Sequence, residues 1–222
     1  MTTGINFTDS NNWYDWSSFE SFLRDDNAHD WILNREMLLN YQPGETWLYG
    51  TPNTDLLSSI IESVSKTSTL EFAEKYLFEP LDINNYAWLH DSSENYIGGF
   101  GLYLRPRALM HIGLMIQNGG TYNGKLIVSE KWIKKSLSNQ IGMGGKEGWE
   151  YGYLWWRFRV GSYQAISAFG YGGQLITMVP ELNVVIVTTS DGYSACSVKT
   201  MEEQFDEVLN LVKRVILSLV EL

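Results

Sequence analysis

The sequence has few of the residues that mark disulfide-bonded, membrane-spanning or nucleic-acid-binding proteins. Its one cysteine, Cys196, excludes an internal disulfide and leaves the redox compartment open. No stretch approaches the roughly 18 consecutive apolar residues of a membrane span. Sixteen Lys and Arg stand against 26 Asp and Glu, a formal charge of −10. This balance argues against nucleic acid or an anionic membrane as a partner, because both require a positive face.

Signals for secretion, metals and cofactors are also missing. The opening MTTGINFTDSNN has neither the basic nor the apolar region of a signal peptide, so a genuine start at Met1 would predict a cytoplasmic protein. The only tight group of potential metal ligands is Asp26, His29 and Asp30, which is more typical of a solvated acidic loop. No HExxH motif and no Walker or Rossmann glycine loop occurs, so we expect no metal and no cofactor.

Apolar residues make up 44% of the 222-residue chain and aromatic residues 14%, which favours a globular protein with one large domain or two lobes. Apolar spacing and capping signals predict helices. These helices are expected at about 55–65, from the capping box Ser68-Thr69-Leu70-Glu71 to Phe78, from Pro106 to Gln117, and from Ser129 to Leu137, with a short one near 19–23.

In the last third of the chain, the pattern of apolar residues changes to one that is typical of β-strands. Four strands are expected, at 151–159, 163–169, 173–179 and 184–189. Their short connections favour an antiparallel meander. A final helix from about residue 202 presents one apolar stripe, which must pack on this sheet. The stripe consists of Phe205, Val208, Leu209, Val212, Val215, Ile216 and Leu219.

Tyr49 lies between the turn signal Pro43-Gly44 and the first predicted helix, so we expect it on a loop between packed elements. A phenol has a pKa of about 10 and acts as a base near neutral pH only beside cationic groups. Taken alone, Tyr49 would be an ordinary half-buried tyrosine.

Four segments in the right order resemble the serine β-lactamase-like superfamily of class C β-lactamases, DD-peptidases and related esterases and amide hydrolases. They are Pro43–Thr51, residues 97–125 with their paired glycines, Tyr151–Trp156, and residues 170–182. The resemblance implies an α/β fold of the α+β type, truncated at the amino terminus. We expect a helical lobe with pocket-rim loops at about 1–145, and an antiparallel sheet with a carboxy-terminal helix at about 146–222.

The resemblance also implies roles for six residues. Tyr49 would be the catalytic base, and the backbone N–H of Tyr171 would donate to the oxyanion hole. Thr51 stands where the family usually has asparagine. Ala168-Phe169-Gly170 stands where the family has Lys-Thr-Gly or His-x-Gly, so these residues and Thr51 are the expected substrate contacts. Losing the cation and hydroxyl at 168–169 favours ester or uncharged amide substrates.

The Ser-x-x-Lys nucleophile of the family has no good counterpart. Ser63-Val64-Ser65-Lys66 fits the pattern, but it falls at the polar carboxy-terminal end of a predicted helix, where the lysine would be solvated and protonated. A Ser-His-Asp triad is not supported either, because no G-x-S-x-G elbow occurs and His29, His90 and His111 lie in dissimilar contexts. His111 is expected to be packed or on the surface.

Three hypotheses remain open from the sequence. The chain is the carboxy-terminal part of a serine hydrolase and inactive without its nucleophile segment, or a pseudoenzyme or binding module that keeps the pocket, or the product of a truncated reading frame. Losing the first strand of the family fold would expose 184–189 as an apolar sheet edge, which another chain or a second copy would complete. The expected partner at the site is a small-molecule ester or amide.

Overall fold

The computed structural model describes residues 1–5, 32–34, 42–143, 148–191 and 201–220. This part of the chain is a mixed α/β structure with five α-helices and antiparallel sheets. It divides into two compact units, the amino-terminal unit Met1–Leu104 and the carboxy-terminal unit Arg105–Leu222. The helix predicted near 19–23 and the cluster at Asp26–Asp30 lie outside the described residues, and the boundary predicted near residue 145 stays a prediction. No described helix is long and apolar enough to cross a membrane.

The amino-terminal unit begins its regular structure with helix α1, Pro52–Ser65. This helix starts three residues before the predicted position because Pro52, with its fixed φ, occupies the first turn. The apolar residues whose 3–4 spacing predicts this helix are Leu56, Leu57, Ile60, Ile61 and Val64, and of these only Leu56 and Ile61 are half-buried. Leu57, Ile60 and Val64 are 43%, 55% and 75% exposed. Polar residues are buried instead, because the Ser58 hydroxyl bonds Thr69 Oγ1 and Tyr96 O, both at 2.6 Å.

Helix α2 confirms the predicted capping box. It runs over Thr69–Ala73 and continues as a π-helix over Glu74–Phe78. Ser68 Oγ accepts from Glu71 N at 3.1 Å, and Glu71 Oε2 accepts from Ser68 N at 2.9 Å. The end at Phe78 is confirmed, whereas the π-helix was not predicted. Beyond it, strands β1, Tyr86–Trp88, and β2, Leu102–Leu104, pair antiparallel.

The carboxy-terminal unit contains a six-stranded antiparallel sheet in which every strand pairs with its neighbour in sequence. This confirms the meander. The strands are β5 Ile141–Gly142, β6 Glu150–Tyr151, β7 Trp156–Val160, β8 Tyr163–Gly170, β9 Gln174–Val179 and β10 Val184–Thr188. The single strand predicted at 151–159 is wrong. A turn with Leu154 at φ 66° and a Gly152 N to Trp155 O bond of 2.7 Å folds it into the β6–β7 hairpin.

Helix α3, Pro106–Gln117, lies where it was predicted and packs on β9 and β10. Gly113 permits this approach, since a Cβ there would be 2.6 Å from Val185 and 2.9 Å from Ile176. After α3 come the short pair β3 Thr121–Tyr122 and β4 Lys125–Leu126, then helix α4, Glu130–Leu137. The predicted cap of α4 is confirmed, because Ser129 Oγ accepts from Trp132 N.

Helix α5, Met201–Ser218, packs its stripe on the sheet, as predicted. Its buried residues are Leu209, Val212 and Ile216. Two members of the predicted stripe, Val215 and Leu219, are 37% and 42% exposed. The sheet residues of this core are Phe158, Val160, Ala165, Leu175 and Val179. On β9, Leu175 and Val179 alternate with Ile176, which lies against Gly113 of α3, so α3 and α5 cover opposite faces of the sheet.

Candidate active site

Tyr49 lies on a half-buried loop that leads into α1. Its ring is 6.1 Å from that of Trp47. The backbone on both sides of it is bonded to the first residue of the chain: Leu48 N donates to Met1 O at 2.9 Å, and Gly50 N to Met1 Sδ at 3.3 Å. The loop placement predicted from the sequence is confirmed, and these bonds fix the backbone that carries the phenol.

Thr51 forms the junction between this loop and α1. Its carbonyl accepts from Thr54 N at 2.9 Å and from Thr54 Oγ1 at 2.6 Å, which starts the helix. Gly99 lies directly against it, since a Cβ on Gly99 would be 2.5 Å from Thr51 Cγ2. The Thr51 side chain therefore packs directly against Gly99.

Gly98 makes an even closer contact with the same helix start. A Cβ at this position would be 2.4 Å from Thr54 O, and the Gly98 N–H donates to Asp55 Oδ1 at 2.9 Å. Asp55 is only 3% exposed, so this hydrogen bond satisfies a carboxylate that would otherwise be costly to bury. Sequence reasoning gave Gly98, Gly99 and Asp55 no individual role. An acid in the first turn of a helix and a glycine pair 43 residues later were the only signals.

The three residues of the Lys-Thr-Gly position end strand β8. Ala168 pairs with Ile176 and Gly170 with Gln174, on the face that α3 covers. Phe169 points to the other face, where its ring stacks on Trp156 at 5.1 Å and meets Phe205 edge-on at 5.0 Å. Any contact of Phe169 with a substrate would therefore go through its backbone.

Tyr171 follows in the turn that joins β8 to β9. Its side chain is 47% exposed. The next two residues, Gly172 and Gly173, are buried and adopt φ of 75° and 88°, a region that residues with a side chain rarely occupy. The glycines thus let the turn reverse beside the Tyr171 N–H.

The structure groups the predicted site residues by unit. Tyr49 and Thr51 lie together in the amino-terminal unit; Ala168, Gly170 and Tyr171 lie together in the carboxy-terminal unit. No group of three or more His, Cys, Asp or Glu that could hold a metal ion occurs among the described residues.

The sequence contains two other sets of residues weighed for catalysis, Ser63–Lys66 and the histidines. Ser63 is exposed in the last turn of α1, and Lys66 is an exposed residue with φ 61° just beyond it. This agrees with the solvated connection expected there. His111 is half-buried, with its ring 5.1 Å from that of Tyr122.

The helices and the antiparallel sheet together match the β-lactamase/transpeptidase-like fold. The chain belongs to the Beta-lactamase family, whose family model matches residues 21–198.

Individual similar proteins share between 19% and 28% sequence identity with this chain. The 6-aminohexanoate-dimer hydrolase of Paenarthrobacter ureafaciens is 28% identical over an alignment of 156 residues, and the match covers 64% of this chain and 38% of that protein. A solved structure described as a 6-aminohexanoate-dimer hydrolase homologue from Bacillus anthracis has a TM-score of 0.69 at 19% identity, covering 98% of this chain and 58% of that one. The octameric penicillin-binding protein homologue of Pyrococcus abyssi has a TM-score of 0.58 at 22% identity, covering 78% and 48%. The chain thus spans about two fifths to three fifths of the length of these relatives.

Proposed function

We propose that this chain supplies the base and part of the oxyanion hole of a serine hydrolase that cleaves amides or esters. The observation that carries the proposal is the bracing of the Tyr49–Thr51 loop. Met1 bonds the loop on one side, and the Gly98-Gly99 pair packs on the start of α1 with less space than a methyl group needs. A base must be held in a fixed position to act on a nucleophile, and this loop is so held.

In the proposed reaction the Tyr49 phenolate takes the proton of a serine hydroxyl beside a lysine. The serine oxygen then bonds the carbonyl carbon of the substrate, and the resulting oxyanion accepts hydrogen bonds from the Tyr171 N–H and from the N–H of the serine. Collapse of the intermediate breaks the bond to the amine or alcohol, which takes up the proton that Tyr49 accepted from the serine. Water then hydrolyses the acyl-enzyme and restores the serine.

The serine and lysine are proposed to come from outside these 222 residues. The only Ser-x-x-Lys in the sequence is Ser63–Lys66, and both residues are exposed at the end of α1. A lysine assists a serine as a base when both are buried side by side away from water, and neither of these exposed residues meets that requirement. We therefore expect the chain to be inactive without a Ser-x-x-Lys segment.

Strand β8 and one of the relatives support ester or uncharged amide substrates. Ala168 brings no cation to the strand end and Gly170 no side chain, so this strand offers no charged side chain to a substrate carboxylate. The Paenarthrobacter relative is named a 6-aminohexanoate-dimer hydrolase, and amino acids condense through amides, so this name supports amide hydrolysis as the reaction. Thr51 and the backbone of 168–170 are the proposed substrate contacts.

The sheet offers a place for a partner strand. Strand β10 pairs only with β9 among the described strands, and its sequence, Val-Val-Ile-Val-Thr, is apolar. We propose that another strand, from a further segment or from a second copy, completes the sheet here. The Pyrococcus abyssi protein of the same fold is described as octameric, which supports this proposal.

A fluorophosphonate, which phosphonylates activated serines, tests the function by intact-mass analysis. The chain alone is expected to give no adduct. The chain together with a Ser-x-x-Lys segment encoded next to it should give one adduct, and Tyr49→Phe should lower the labelling rate by about 10²–10⁴-fold. Tyr103→Phe, at a tyrosine that is 57% exposed on β2, is the matched control and should label normally.

Two outcomes would contradict the proposal. A stoichiometric adduct on the chain alone that fades in Tyr49→Phe would place an activated serine within these residues, with Ser63 the first suspect. No adduct in any combination would instead favour a pseudoenzyme that binds ligands without acyl transfer.

A further inference from the structure

The turn that carries Tyr171 is held by polar side chains from three other parts of the carboxy-terminal unit. We propose that Gln174, Thr188, Ser190 and Gln204, together called the turn clamp, position the Tyr171 N–H for oxyanion binding. The inference rests on the proposed function for its catalytic consequence, although the clamp itself can be tested without any activity.

Gln174 and Ser190 form a reciprocal pair. Gln174 Nε2 donates to Ser190 O at 2.5 Å, and Ser190 N donates to Gln174 Oε1 at 3.2 Å. A side-chain amide that both donates to and accepts from one backbone residue fixes that residue in position and orientation. The pair therefore ties the start of β9 to the segment that follows β10.

The carbonyls of the two buried glycines in the turn are both occupied. Gly172 O accepts from Ser190 Oγ and from Gln204 Nε2, the latter at 3.3 Å. Gly173 O accepts from Thr188 Oγ1 at 2.8 Å. A buried carbonyl without a hydrogen-bond partner destabilises the folded state. These bonds therefore favour the one orientation of the peptide planes next to Tyr171 in which both carbonyls have partners.

Helix α5 supplies both Gln204 and an apolar support. A Cβ on Gly173 would be 2.8 Å from Val208 Cγ2, so the turn lies directly on the helix. Three residues before Val208, the Phe205 ring meets the Phe169 ring edge-on at 5.0 Å. The first turns of α5 thus contact the turn and the strand end that precedes it.

The Tyr171 N–H can bind an oxyanion only if the turn that carries it is held in one conformation. Glycines with positive φ leave a turn conformationally free, whereas an oxyanion-hole donor must be held about 2.7–3.1 Å from the developing charge. The clamp residues act through the backbone of the turn and are positioning residues. Thr188 bonds Gly173 O, and Gln204 Nε2 bonds Gly172 O and also donates to Ser190 Oγ and Asp191 O, both at 3.3 Å.

The test compares Gln204→Met with Gln164→Met. Methionine keeps the length and helix propensity of glutamine but cannot hydrogen-bond the turn. Gln164 is the matched control, because it lies on β8 and its Nε2 donates to Phe158 O at 3.0 Å and Ala165 O at 3.1 Å, at the far end of the strand. Thr188→Val and Thr188→Ser form a second pair, in which only serine keeps the hydroxyl.

The first readout is hydrogen exchange of the peptide that spans 168–176, measured on the chain itself. Gln204→Met and Thr188→Val should speed exchange in the turn about tenfold, while Gln164→Met and Thr188→Ser leave it within twofold. The second readout is ester turnover with the Ser-x-x-Lys segment present. The clamp variants should lower kcat about tenfold with KM within twofold, since the interaction is made mainly in the transition state.

The outcomes separate the two proposals. Unchanged exchange in both clamp variants would overturn the clamp, whether or not the protein is active. Faster exchange with unchanged kcat would also overturn its positioning role. A wild-type protein without turnover or labelling would refute the proposed function instead, and the exchange result alone would then decide whether the clamp holds the turn.

Discussion

Gly98→Ala should destabilise the start of α1 and the Tyr49 loop before it through a steric clash. The size of this clash can be estimated from the structure. The added methyl would lie 2.4 Å from Thr54 O, where a carbon and a carbonyl oxygen in contact are normally about 3.3–3.6 Å apart. Residue 98 or the first turn of α1 must therefore move by roughly 1 Å. Thr54 O belongs to the backbone of a helix, so it cannot turn away as a side chain would.

The same movement would break the hydrogen bond from Gly98 N to the buried Asp55. Its length of 2.9 Å would exceed the limit of about 3.5 Å after such a shift. Overpacking costs about 1–3 kcal/mol and a hydrogen bond to a charged group contributes about 1.5–3 kcal/mol. We expect a loss of about 3 kcal/mol in the free energy of unfolding, which lowers Tm by roughly 6–12 °C in a chain of this size.

Gly142→Ala is the control, because a Cβ there meets no atom within 4 Å and Gly142 does not have a positive φ. Thermal melting followed by circular dichroism should show Gly142→Ala unchanged or slightly stabilised, by up to about 1 kcal/mol. Equal Tm values for Gly98→Ala and Gly142→Ala would refute the claim that close glycine packing holds the Tyr49 loop.

Two further predictions concern the sheet edge and the start of α2. If the edge of β10 pairs with a strand of a second copy, sedimentation velocity should show concentration-dependent association of the purified chain. A sharp monomeric species that melts cooperatively above about 60 °C would count against this pairing. Hydrogen bonds from the Ser68 backbone and hydroxyl hold the pKa of Glu71 below its usual 4.5, so its contribution to stability is present above that pH and lost as the pH falls through the lowered pKa. The Tm difference between wild type and Glu71→Gln should accordingly shrink below about pH 4.5, and a difference that stays constant from pH 6 to 3 would contradict the assignment.

Local signals in the sequence predicted the ends of elements well. Pro106 begins α3, Ser129 caps α4 and the Ser68–Glu71 box caps α2, because each signal satisfies backbone groups within its own turn. The meander was also predictable, since its connections are too short for parallel crossovers.

Features that depend on distant residues were not predictable in this way. The buried face of α1 is polar because Ser58 finds partners in Thr69 and in Tyr96, which no periodicity in α1 reveals. The β6–β7 hairpin needs Leu154 in a left-handed conformation, and leucine gives no signal for one. At the candidate site, resemblance pointed to Tyr49, but only the structure shows that Gly98 and Gly99 lie against the start of α1, which follows its loop.

The strand order of the sheet has a consequence for how the carboxy-terminal unit folds. Since β5 to β10 pair in sequence order, each hairpin can close over a short loop, and the chain pays little loop-closure entropy per step. Sheets with such local pairing are expected to form faster than those that join distant strands. Helix α5, whose Leu209, Val212 and Ile216 need the finished sheet, would dock last, so the turn that it supports would reach its final conformation only at the end of folding.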